Sequence, residues 1–211
     1  MENLRKKKIV KLKPEVWLPK ATLTKKNDHF GFRELVMVRD GIGYATTGKL
    51  AFIAKLSSVT KDGYYTNKWK YTTPEEYLTY IPKYPFPNFN KLEEFKYGIK
   101  PVITAYREVH FEGTLKTQKF IEIETVGWAG IKHYRYVPAK EMLNLLKGFE
   151  KKDNYTIYCK SYLDSHKTAI PVRYKSDERT AYIMFLNIKH LESQCNCNVS
   201  KKEYICELII K

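Results

Sequence analysis

The stretch LVMVRDGIGYATTGKLAFI, residues 35–53, sets the fold class. Leu35 and Met37 alternate on one side of Arg39-Asp40-Gly41, and Ile42 and Tyr44 resume the alternation beyond it. An Asp-Gly pair between alternating apolar runs is a strong hairpin signal, because both central residues of a type I′ turn need positive φ. A second turn, Thr46 to Lys49, follows at once, and its Gly48 supplies positive φ at little cost. LAFIAKL then reads as a third strand. The segment before residue 58 is thus a strand, a connection and a β-meander. Pro19 stands in the middle of the connection PEVWLPKATLTKKNDHF, where it breaks or delays a helix.

The same order recurs toward the C-terminus. YVPAKEMLNLLKGFEKKDN carries the best helix pattern in the chain, with Met142, Leu145, Leu146 and Phe149 at i, i+3, i+4 and i+7. Pro138 suits its first turn. Lys140, Lys147, Lys151 and Lys152 lie off the apolar stripe or just past its end, so the stripe packs on a sheet and the basic remainder faces outward. NYTIYCKSYL, TAIPVRYKS and TAYIMFLNI follow as three strands, and Lys175 to Arg179 joins the last two as a hairpin. The tail, KHLESQCNCNVSKKEYICELIIK, is expected to end in an edge strand from Tyr204 to Ile210.

Between the two blocks the composition changes. Residues 59–100 are rich in Tyr, Pro and Lys, and Thr73-Pro74-Glu75-Glu76 reads as an N-cap with acids in the first turn of a short helix. Pro82, Pro85 and Pro87 then force an extended connector whose aromatics pin it to the body. Strands resume at Pro101 with PVITAYREVHFEG and KFIEIETVG. Glu122 and Glu124 share one strand face. Paired acids hold Mg²⁺ in nucleases, but a nuclease site wants further carboxylates and a nearby Lys, which IEIETVG lacks. A solvated strand face is the preferred reading.

Thirty-eight Lys and Arg against 23 Asp and Glu give +15 over 211 residues, a balance that favours a polyanionic partner. The run Arg5 to Lys8 reads as a solvated, frayed terminus, and Lys20, Lys25 and Lys26 follow it. No apolar run approaches the ~20 residues of a membrane span. No apolar core follows the basic start, so no signal peptide is read and the expected location is cytoplasmic, without membrane contact. Cys195, Cys197 and Cys206 are too few and wrongly spaced for a zinc site, and with Cys159 they read as reduced thiols. His29, His110, His133, His166 and His190 are scattered, and no nucleophile–base set or phosphate-binding glycine loop appears. The sequence therefore reads as non-enzymatic, with no cofactor and no metal.

Taken together, LVMVRDGIGYATTGKLAFI, YRYVPAKEMLNLLKGFEKKDNYTIYCKS and AIPVRYKSDERTAYIMFLNI resemble one domain of the bacterial DNA polymerase sliding clamp, the beta-clamp processivity factor. Thr47 stands where that family usually has Asp, and a tail follows the terminal strand where family chains usually stop. The resemblance implies an α+β, mostly β, single clamp-like domain of two β-α-β-β-β halves. The first half covers about residues 8–58, a long insertion 59–119, the second half 120–188, and a tail with an extra strand 189–211. It also implies sequence-independent contact with duplex DNA through Lys140, Lys147, Lys151 and Lys152, with Lys20, Lys25 and Lys26 beside them. A partner-peptide pocket is implied at Met184, Phe185 and Leu186, for a polymerase or another replication protein. An accessory factor of a mobile element or phage fits this reading. Two alternatives stay open: an interaction module on the same fold that does not encircle DNA, and a Mg-dependent nuclease at Glu122 and Glu124.

Overall fold

The computed structural model describes residues 5–23, 32–59, 61–73, 75–76, 86–89, 91, 98–113, 117–127, 130–149, 155–159, 167, 169–194 and 197–210. Among these the fold is mostly β, a mixed sheet with few helices. The chain begins with β1 (Arg5–Ile9), a one-turn helix α1 (Pro14–Trp17) and a 3₁₀ turn (Leu18–Ala21). Pro19 sits in the 3₁₀ turn, which explains why the helix stops at Trp17. A second 3₁₀ turn (Phe32–Glu34) leads into β2 (Leu35–Arg39), β3 (Ile42–Thr46) and β4 (Leu50–Lys55). Asp40 and Gly41 have φ of 50° and 69°, as a type I′ turn requires.

β5 (Gly63–Thr66) and β6 (Tyr71–Thr72) extend the sheet beyond β2. The Thr73 cap is present: its hydroxyl accepts from the Glu76 amide at 3.2 Å and the Glu76 carboxylate accepts from the Thr73 amide at 3.1 Å. Most of the helix expected after it lies outside the described residues. β7 (Val102–Gly113) and β8 (Gln118–Val126) form a long hairpin, followed by β9 (Lys132–Pro138) and α2 (Ala139–Leu146). Then come β10 (Thr156–Cys159), β11 (Ala169–Lys175), β12 (Arg179–Leu186), α3 (Ile188–Gln194) and β13 (Cys197–Ile210).

The sheet runs β1-β13-β7-β8-β9-β12-β4-β3-β2-β5-β6, and β10 joins through β11 to β12. Its centre is the antiparallel contact of β12 with β4, where Ile183 faces Leu50 and Arg179 faces Ala54. There the meander β2-β3-β4 meets the meander β10-β11-β12 edge to edge. The 3₁₀ turn after α1 packs on β2, β3 and β4, while α2 packs on β8 and β9. The main core lies between these helical segments and the sheet: Trp17, Leu18, Val36, Phe52, Ile121, Ile123, Met142, Leu145, Leu146, Phe149, Val172, Ile183 and Phe185. Two smaller clusters are separate from it, one of Val109, Phe111, Phe120, Tyr136 and Leu191, the other of Ala51, Phe89 and Tyr182.

Three sequence readings change. The tail strand is not at an edge. β13 starts at Cys197 and lies between β1 and β7, antiparallel to β7 and parallel to β1. Burial of Cys206 and Leu208 in the main core holds it there. Arg5 to Lys8 are not frayed, because each pairs with β13, from Arg5 with Cys206 to Lys8 with Ile209. Within the 59–119 stretch β5 and β6 join the sheet, strands that the sequence reading does not include, while β7 falls at PVITAYREVHFEG as expected; Phe86 and Phe89 make edge or tilted ring contacts with Phe32, Tyr64 and Tyr44, so the aromatics pin the connector as read.

Candidate nucleic-acid interface

The helical segments lie side by side because of a few specific bonds. Trp17 is fully buried, stacked on Phe52 with centroids 4.0 Å apart, and its indole N–H donates to the carbonyl of Asn144 on α2 at 2.9 Å. The Asn144 amide in turn donates to the Lys20 carbonyl at 3.4 Å. The Leu12 amide donates to the Lys147 carbonyl at 2.7 Å, which ties the chain before α1 to the end of α2. Gly148 lies against the Trp17 ring, with no room for a Cβ.

These bonds place the lysines. Lys20 and Lys140 are exposed, and Lys147 is half-buried at the C-cap of α2, its amide donating to Leu143. α2 buries Ala139, Met142, Leu145 and Leu146, with Leu143 packed against the same core and Phe149 just beyond the helix, while Lys140 is left exposed. Burial raises the Glu141 carboxyl above its ordinary value, opposed by the charges of Lys49 and Lys140. Lys49 is therefore within Coulombic range of Glu141 in the first turn of α2. It was not foreseen in the sequence, where it sits in the β3–β4 turn, some ninety positions away. Its exposure in a tight polar turn was the one signal. Lys25, Lys26, Lys151 and Lys152 lie outside the described residues. A set of ammonium groups on a rigid helical layer attracts phosphate without reading bases.

The three pocket positions part company on β12. Phe185 is fully buried in the main core, Met184 is 36% exposed, and Leu186 is half-buried against the cluster that contains Leu191 of α3. Alternation along the strand puts Phe185 on the face opposite Met184 and Leu186. Phe185 therefore belongs to the folding core rather than to any surface.

Glu122 and Glu124 are not on a solvated face. They are 0% and 5% exposed, a correction to the sequence reading. The reason is cross-strand: Arg107 on β7, Lys132 on β9 and Lys202 on β13 converge on them. Lys202 reaches Glu122 at 2.6 Å, and Tyr136 donates its hydroxyl to the same carboxylate at 3.0 Å. Arg107 and Lys132 reach Glu124 at 2.7 and 3.0 Å. Burial pushes the Glu124 carboxyl up, but hydrogen bonds from Arg107, Lys132 and Thr104 outweigh it and hold the group at about 2. Among the described residues, no three His, Cys, Asp or Glu side chains come together as a metal site. Cys159 and Cys206 are buried free thiols, and Cys195 lies outside the described residues. Among the described residues no helix is long and apolar enough to cross a membrane.

No protein-family model matches the sequence, and no curated protein matches it. The structure is similar to that of a putative DNA polymerase III beta subunit from Eubacterium rectale, with TM-score 0.41 and 10% identity over 85% of this chain and 64% of that one. It is also similar to the H. pylori beta clamp in complex with 5-chloroisatin, with TM-score 0.40 and 9% identity over 86% of this chain and 62% of that one. The chain spans less than two thirds of the length of either.

Proposed function

We propose that the chain is a clamp-type, non-enzymatic module that contacts duplex DNA without reading its sequence. The observation that carries this reading is the helical layer: Lys20 on one segment and Lys140 and Lys147 on another, the two segments joined through Asn144 and Leu12, with Lys49 within Coulombic range of Glu141. Lys25, Lys26, Lys151 and Lys152 continue these segments in sequence and belong to the same proposed surface. The order strand, helical segment, three strands from β1 to β4 and again from β9 to β12 supports two clamp-type halves. A net charge of +15 supports a polyanionic partner. Docking of a peptide from a polymerase or another replication protein at Met184 and Leu186 is part of this reading. Because Glu122 and Glu124 are engaged by three cationic side chains, catalysis is not proposed there.

The test is duplex binding as a function of salt. The association constant should fall linearly with salt on a logarithmic plot, with a slope near −0.9 per phosphate neutralised. Replacing both Lys140 and Lys147 with Glu should weaken binding to all duplex sequences alike. A flat salt response would sink the DNA reading and leave a protein-interaction module on the same fold.

A further inference from the structure

A cleft of about 430 Å³ opens between β10 and the start of β7, lined by Lys100, Ile103, Tyr106, Tyr155 and Ile157 among others. Its origin is a ladder that stops after one step. The Cys159 amide donates to the Ile99 carbonyl at 2.7 Å, and the Ile99 amide donates back at 3.3 Å. This reciprocal pair points the backbone of Cys159 away from β11, and alternation points the backbone of Ile157 the same way. Two residues further in the same register, Ile157 would face Pro101. Proline has no N–H to donate, so the next pair cannot form and the strands part. Among the described residues Ile157 makes no backbone bond outside its strand ladder.

Aliphatic and aromatic side chains line the walls together with polar groups, and Lys100 stands among them. Tyr106 is buried at the base, its hydroxyl 3.0 Å from that of Tyr174. Lys100 lies over the Tyr158 ring, 5.6 Å from its centroid. We propose that this cleft takes an extended peptide of a partner protein as an added strand on β10, with an aliphatic side chain against Tyr106 and Tyr155 and a carboxylate at Lys100. An inward-facing amide and carbonyl at strand spacing is what an extended main chain satisfies. A second copy of a chain carrying +15 brings like charge to Lys100, so an acidic partner is the complement. The proposal does not rest on the DNA reading, because none of the helical lysines lines the cleft.

The experiment uses the full chain and a dye-labelled, end-capped hexapeptide alternating leucine with aspartate, followed by fluorescence anisotropy. Saturable binding is expected, weakened at least tenfold by Lys100→Glu. N-methylation of one alternate set of peptide amides should abolish binding, and methylation of the other set should spare it. Ile157→Pro should also weaken binding at least tenfold, because its N–H faces the cleft, and should lower the thermal midpoint as well, because its side chain packs against the main core. No binding, no effect of Lys100→Glu, or equal tolerance of both methylated peptides would overturn the proposal. A concentration-dependent dimer abolished by Ile157→Pro would also overturn it, in favour of self-pairing. The methylation arm needs no variant protein, so a failure of Ile157→Pro to fold leaves the test intact.

Discussion

The guanidinium of Arg179, at the start of β12, lies over the indole of Trp17 in α1, 5.5 Å from its centroid. One of its nitrogens donates to the Leu12 carbonyl at 2.7 Å and to the Gly148 carbonyl at 2.9 Å. Three segments distant in sequence meet at a side chain that is 5% exposed. Arg179→Ala should destabilise the fold by about 2–4 kcal/mol, because two carbonyls lose their donor and the ring loses its cover. Arg179→Lys should recover less than half of that, since a single ammonium cannot reproduce the planar contact. Urea unfolding monitored by far-UV circular dichroism reads both values.

Gly148 lies against the edge of the same ring, near its Nε1 and Cε2. A Cβ there would overlap the indole of Trp17, and the stacking of that ring on Phe52 leaves it little freedom to move. Gly148→Ala should cost about 1–3 kcal/mol by overpacking. A midpoint equal to the parent protein would mean that α2 shifts freely relative to α1, contrary to the bonds through Asn144.

Acid should loosen the β7–β9 face. The Glu124 carboxyl is held at about 2 in the fold against an ordinary value of 4.5. A depressed folded value means that the ionised form stabilises: the contribution is complete above the unfolded value and is lost as pH falls from 4.5 toward about 2. Glu124→Gln should therefore flatten the stability–pH curve in that window, by up to about 3 kcal/mol. Glu15, also held at about 2 despite its burial, by its own backbone N–H and by bonds from Ser57 and Ser58, contributes in the same window. The decisive comparison is Glu124→Gln against Glu15→Gln. Parallel curves for Glu124→Gln and the parent would remove Glu124 from the network.

Lys49 offers a check on the proposed DNA surface that sequence proximity to α2 would never suggest. Lys49→Glu should lower duplex affinity about as much as Lys140→Glu, and shrink the salt slope by roughly one unit. Equal affinity for parent and variant would confine the surface to the helical segments.

The ion pair of half-buried Lys202 with fully buried Glu122 ties the last strand to β8. Lys202→Met leaves the fully buried Glu122 carboxylate with only Arg107, 3.9 Å away, as a cation and should cost about 2–3 kcal/mol. Replacing Glu122 with Gln in the same chain should restore part of the loss, a coupling that a double-mutant cycle measures. Additive effects would show that the two side chains are not linked.

The meander at residues 35–53 was legible because its signals are local: alternation, an Asp-Gly turn and a single glycine at positive φ. The stripe of α2 was legible for the same reason, and all four of its apolar residues are buried. Pro19 marked the end of α1 correctly because its effect acts within one turn. What escaped notice was every non-local pairing. The last strand carries the alternation of an exposed edge, yet it is enclosed, because the partner strands β1 and β7 come from the other end of the chain and from the middle. Glu122 and Glu124 look like a solvated face until three cations from three other strands cover them.

By itself, then, the sequence determined the meander at residues 35–53, the hairpin of β11 and β12, the buried face of α2 and the excess of positive charge, all set by interactions within a few residues. Only the tertiary structure decided which strands adjoin, which carboxylates are buried, which lysines share a surface, and that Pro101 stops a ladder opposite Ile157. Those outcomes depend on contacts between segments tens to hundreds of positions apart, where burial and cross-strand hydrogen bonding outweigh local preference.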